Sequence, residues 1–126
     1  MNSKTASFKI LNDSILEVTL LENDELIDLE EAKAQFNEIT TLTDGKPMAV
    51  LLDASKSLHQ ITPQAKKFLA ENDKKLAEAI VVKALHQRII ATFYINLVSK
   101  KQKHPTKIFS NRVEALAWLK ERLKND

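Results

Sequence analysis

Short apolar runs and helical stripes follow one another along the chain. Residues 8–11 (Phe-Lys-Ile-Leu) predict a short strand. Asn12, Asp13 and Ser14 supply turn chemistry, because Asn and Asp tolerate left-handed backbone angles. From 15 to 21, Leu16, Val18 and Leu20 alternate with Glu17 and Thr19, the period of a half-buried strand. An antiparallel hairpin with one wet face is expected. Asp28 then opens a helix, with Glu31 three residues on in a capping-box pattern. Leu29, Ala32, Phe36 and Ile39 form its apolar stripe. The carboxylates of Asp28, Glu30 and Glu31 suit the helix dipole and are read as capping groups, not as an acid–base pair.

Gly45, Lys46 and Pro47 break the pattern. The apolar run 48–52, ending at Asp53, reads as a central strand buried on both faces. Residues 54–61 form a loop. Thr62 and Pro63 then begin a second helix as N-cap and first helical residue. Its apolar side is Ala65, Phe68, Leu69 and Leu76, with Asn72 and Asp73 as a possible interruption. Residues 79–85 predict another strand, and the sheet's buried centre is expected at 48–53 and 80–83. Residues 86–99 predict a helix with rows Ile89, Phe93, Leu97 and Ile90, Tyr94, Val98. A basic connector leads to a last strand at 105–109. Ser110 or Asn111 caps a final helix with Leu116, Leu119 and Leu123 as its seam. The order β-β-α-β-α-β-α-β-α describes a single α/β domain over residues 1–126, with a five-stranded mixed sheet and about four helices.

Composition removes much chemistry. The 126 residues contain no cysteine, so disulfides, thiolate nucleophiles and cysteine–zinc sites are excluded. Gly45 is the only glycine, too few for a phosphate loop, a dinucleotide fingerprint or a nucleophile elbow. The start runs into a strand rather than a signal segment. The longest mostly apolar stretch, 89–98, is about half the roughly 20 residues needed to span a bilayer. A cytoplasmic address without integral membrane association is expected. Net charge is only +2, but residues 1–60 carry 5 basic and 11 acidic side chains, and residues 61–126 carry 14 and 6. The halves are expected to interleave in space and mix their charges. The alternative is a dipole used in docking or self-association.

The segment 105–119, Pro-Thr-Lys-Ile-Phe-Ser-Asn-Arg-Val-Glu-Ala-Leu-Ala-Trp-Leu, resembles the closing motif of SpoIIAA-like, STAS/Sec14-type proteins: a short strand, a Phe, a capping turn, then Glu-Ala and Trp-Leu. The segment 85–94 is similar to a variant common in small bacterial proteins of that family, and the element order is that of the STAS domain of anti-sigma-factor antagonists. The resemblance implies a cytosolic bacterial domain with no accepted catalytic residues. STAS antagonists are phosphorylated on the first serine of Asp-Ser-Ser-Gly-Leu. Asp53 and Ser55 resemble residues preceding that motif, and Thr62 falls at the phosphoserine position, but the sequence there is Ile-Thr-Pro-Gln-Ala. An N-cap role accounts for Thr62.

In open α/β sheets ligands gather at the carboxyl ends of the strands. That edge makes Asp53, Ser55, Ser57, His59, Thr62, Lys83, His86 and Arg88 the candidate ligand or interaction residues. His59, His86 and His104 are not spaced for a shared metal, and no catalytic set or cofactor is expected. Lys100, Lys101, Lys103, His104 and Lys107 form a basic patch without interleaved aromatics, which argues against nucleic acid. Helix 86–99 is apolar around more of its circumference than one sheet contact needs. Ala91 and Ile95 are expected to extend that surface towards solvent and to support a homodimer. The function expected first is therefore a non-enzymatic regulatory module with an unknown protein partner. The alternative is a carrier of a small apolar or lipid-like ligand, which needs an internal cavity of several hundred cubic ångströms. A chain this short leaves little room for one.

Overall fold

The computed structural model describes residues 2–72, 75–101 and 104–124, and the side chains of 97–101 lie outside that description. Strands β1 (Ala6–Leu11) and β2 (Ile15–Leu20) form the hairpin, followed by α1 (Leu29–Thr43), β3 (Ala49–Asp53), α2 (Pro63–Glu71), β4 (Ala77–Val81), α3 (Leu85–Lys101), β5 (Thr106–Phe109) and α4 (Arg112–Lys124). The sheet order is β1-β2-β3-β4-β5; β1 and β2 are antiparallel and every later pairing is parallel. Asn12 and Asp13 turn the hairpin with φ of 53° and 60°, the left-handed geometry their side chains tolerate.

Helix starts follow the capping residues. Asp28 accepts a hydrogen bond from the Glu31 amide at 2.9 Å, Thr62 Oγ1 accepts from the Ala65 amide at 3.1 Å, and Asn111 Oδ1 accepts from the Glu114 amide at 2.8 Å. The capping box at α1 is only half made. The buried Glu31 carboxylate turns away from Asp28 and accepts from the amides of Lys4 and Thr5 at 3.0 and 3.1 Å and from Ser3 Oγ at 2.6 Å. These amides precede β1, where the sheet offers them no partner, so the carboxylate ties the amino-terminal segment to α1.

The two sheet faces differ in side-chain size. One carries Ile15, Ala49, Leu51, Ala77, Ala79 and Val81 against Ala115 and Leu119 of α4. Its alanines let α4 sit directly on β3 and β4, with Phe109 and Trp118 closing the end at 5.7 Å between ring centroids. The other face carries Leu16, Val18, Val50 and Ile80 beneath α1, α2 and α3. There α1 and α2 share a separate core of Ile27, Ala32 and Ala65, with Phe36 and Phe68 edge-to-face at 5.7 Å. Helices packed on one another, above large side chains, stand away from this face.

Three expectations need correction. Strand β4 begins two residues early and stops at Val81, so Lys83 is exposed and not in the buried centre. Strand order follows chain order, and the acidic and basic halves meet where α1 packs on α2, where α4 packs on β3, and where Arg112 pairs with Glu17. Ala91 is buried, and Ile95 packs on the cluster containing Ile80 and Val82. The exposed row of α3 is instead Leu85, Ile89 and Phe93, because the small Ala91 is the side chain that lets the helix approach the sheet. Finally, 126 residues do leave room for an apolar cavity. Asp73, Lys103 and the side chains of Leu97, Val98, Lys100 and Lys101 lie outside the described residues.

Candidate functional site

A cavity of about 370 Å³ lies between the larger-residue sheet face and helices α1, α2 and α3. It runs the length of β3, from Gly45–Pro47 below the strand to Ala54, Ser57 and His59 above it. Leu16, Val18, Val50, Leu52 and Ile80 form the floor. Ile39, Phe36, Leu69, Ile90 and Ala91 contribute from the helices. Polar side chains also line it, among them Gln35, Lys66, Asn72 and Tyr94.

At the carboxyl ends of the strands, the structure brings Ser57, His59 and His86 together. Ser57 Oγ accepts from the His59 amide at 3.2 Å, and the Ser57 carbonyl lies 3.4 Å from His86 Nε2. The buried Gln87 organises this end. Its Oε1 accepts from the Lys83 and Ala84 amides at 2.8 and 3.0 Å, and its Nε2 donates to the Ser55 and Ser57 carbonyls at 3.0 and 3.2 Å. All four hydrogen-bonding positions of the amide are engaged, which fixes the loop after β3 to the start of α3. His59 is 4% exposed, and its Nδ1 lies 2.7 Å from the Glu25 carbonyl.

The remaining edge residues point elsewhere. Asp53 Oδ1 accepts from the Ser55 amide and hydroxyl at 3.0 and 2.6 Å, which closes a local turn. Asp53 also attracts Arg112 on the α4 side of the sheet. The Arg112 guanidinium hydrogen-bonds Glu17 at 2.8 Å, and that bond raises it above its ordinary value against the opposing effect of burial. Thr62 is a helix cap, and Lys83 and Arg88 are exposed; none of these lines the cavity.

At the opposite end stands a group that the sequence reading missed. Glu78, in β4, is 1% exposed and lines the cavity. Lys75 Nζ donates to its Oε1 at 3.2 Å, also donates to the Tyr94 hydroxyl, and sits 5.0 Å from the centre of the Tyr94 ring. The available signal was the spacing: a Lys three residues before a Glu that interrupts an otherwise apolar strand. Among the described residues no group of three or more His, Asp or Glu side chains is gathered as a metal site, and no helix is long and apolar enough to cross a membrane.

Residues 8–123 match the family described as Domain of unknown function (DUF7793). The fold is shared with the crystal structure of an uncharacterized protein of the DUF3478 family, with a SpoIIAA-like fold, from Shewanella loihica PV-4. The TM-score is 0.59 at 16% identity, over 94% of this chain and 95% of that one. No curated protein matches the sequence. The SpoIIAA-like resemblance read from segment 105–119 and from the element order therefore holds for the fold.

Proposed function

We propose that this chain, which belongs to the DUF7793 family of domains of unknown function, is a non-enzymatic cytoplasmic binding module that takes a small apolar molecule into the cavity between its sheet and α1–α3. The cavity itself carries the reading. Its volume of about 370 Å³ and its predominantly apolar wall surface match the make-up of small-molecule sites. Alkylbenzenes added to the purified protein test it: a ligand that binds only the native state raises the melting temperature, and the rise grows with the logarithm of ligand concentration once that exceeds the dissociation constant. A concentration-dependent rise of a few degrees is expected for butylbenzene, and no rise up to its solubility limit contradicts the proposal.

A second reading, action through protein contact, has one observation in its favour. Leu85, Ile89 and Phe93 form an exposed apolar row on α3, with Phe93 59% exposed. Self-association would use this row and not Ala91 and Ile95. Sedimentation of the wild type and of Phe93→Lys tests self-association, and a monomer at micromolar concentration removes the homodimer from this reading.

A further inference from the structure

Gln35, on α1, stands between the amino-terminal segment and the cavity. It lines the cavity with Phe36, Ile39, Thr40 and Thr43, while Lys33, Asn37 and Thr41 of the same helix are exposed. The orientation of its amide follows from its neighbours. Nε2 donates to Thr5 Oγ1 at 2.7 Å. The Thr5 hydroxyl has one proton, and that proton goes to Glu31 Oε2, a carboxylate oxygen that only accepts. Thr5 therefore receives its second bond from Gln35, which sets the amide nitrogen on the Thr5 side and Oε1 on the other. Neither Thr5 nor Glu31 is a wall of the cavity. Oε1 makes no hydrogen bond to a described residue. Among the described residues that are not exposed, His59 Nε2 is the one fully buried side-chain nitrogen or oxygen in that condition. Gln35 Oε1 therefore keeps accessible surface, within the 7% that the residue retains. With the residue on the cavity face of α1 and its nitrogen turned away from the cavity, that surface opens into the cavity. A carbonyl oxygen only accepts, and polar groups placed in an apolar site set orientation and specificity.

We propose, resting on the cavity reading, that the cavity selects an apolar molecule carrying a hydrogen-bond donor, and that Gln35 Oε1 accepts from it. A hydrocarbon fills the same walls and leaves the carbonyl unmatched. An ether or a carboxylate sets a second acceptor against it. The bonds through Thr5 to Glu31 hold the amide in this orientation before any ligand arrives, so the acceptor is preorganised.

4-Butylphenol and 4-butylanisole share an apolar body and differ in whether they can donate. Calorimetric titrations measure both against the wild type and against Gln35→Met, which keeps the length of the side chain and removes the carbonyl. The ratio of phenol to anisole affinity is expected to fall about fivefold in the variant, the equivalent of one hydrogen bond, because the transfer of each probe from water cancels in the comparison. Carbon NMR of the Gln35 side-chain carbonyl in the wild type gives a readout that needs no variant, and it decides alone if Gln35→Met does not fold. Cδ is expected at higher frequency with the phenol bound than with the anisole bound. An affinity ratio unchanged by Gln35→Met, or a Cδ resonance that is the same in both complexes, overturns donor selection and leaves the apolar cavity standing. Failure of both probes to bind the wild type overturns the cavity reading as well.

Discussion

Lys75 and Glu78 meet across the start of β4, with Nζ 3.2 Å from Oε1 and the carboxylate withdrawn almost entirely from water. The ammonium keeps partial access to solvent while the carboxylate does not. The pair is therefore asymmetric: losing the Lys leaves a buried charge, whereas neutralising the Glu leaves a cation that can turn outward. Lys75→Met should destabilise by roughly 3 kcal/mol, and Glu78→Gln by clearly less. Urea denaturation of the two variants checks this. Equal losses would mean that the buried carboxylate does not depend on Lys75.

Thr62 caps α2 and is followed by Pro63 at the first helical position. Thr62→Ser keeps the accepting oxygen and should be almost neutral, while Thr62→Ala should cost about 0.5–2 kcal/mol. The corresponding melting curves decide it. Substantial phosphate on Thr62, found by mass spectrometry of native protein, would contradict a purely structural role.

Two carboxylates make an instructive contrast. Glu31 is buried and holds the Lys4 and Thr5 amides, whereas Glu17 meets Arg112 where the Arg side chain is 47% exposed. Glu31→Ala should cost about 1–3 kcal/mol by leaving buried donors unmatched. It should also speed hydrogen exchange at Lys4 and Thr5. Arg112→Gln should cost less than about 1 kcal/mol, an effect that fades in high salt. Comparable losses for both would mean that burial does not set the hierarchy here.

The same residue, Glu78, accounts for one error of boundary and one of function. A carboxylate in an apolar run reads as the end of a strand, so sequence alone begins β4 at 79. The partner that allows burial lies before the strand and has no period of its own. The hairpin, β3 and the caps at Asp28, Thr62 and Asn111 were legible because period-two alternation, chain breakers and short polar side chains act locally. The cavity was not, because periodicity assigns a side chain to a face without saying how far the facing helix stands away. The alanines at 49, 77, 79 and 115 hold that information: they draw α4 onto one face, and the larger Leu16, Val18, Val50 and Ile80 mark the face left for the cavity. Helix α3 was turned the wrong way for a related reason. Its apolar side chains cover so much of its circumference that only packing selects Ala91 as the inner one.

The central claim, that the large-residue face of the sheet is a binding face and the alanine face a packed core, is most directly tested by methyl-labelled NMR during titration with butylbenzene. Ala54, Ala91, Val18, Val50 and Ile80 line the cavity, while Ala49, Ala77 and Ala79 lie beneath α4 and Ala115 is on its inner face. The account predicts saturable shifts concentrated in the first group, with the second almost unmoved. No saturable shifts, or shifts as large in the α4 group as in the cavity group, would contradict it.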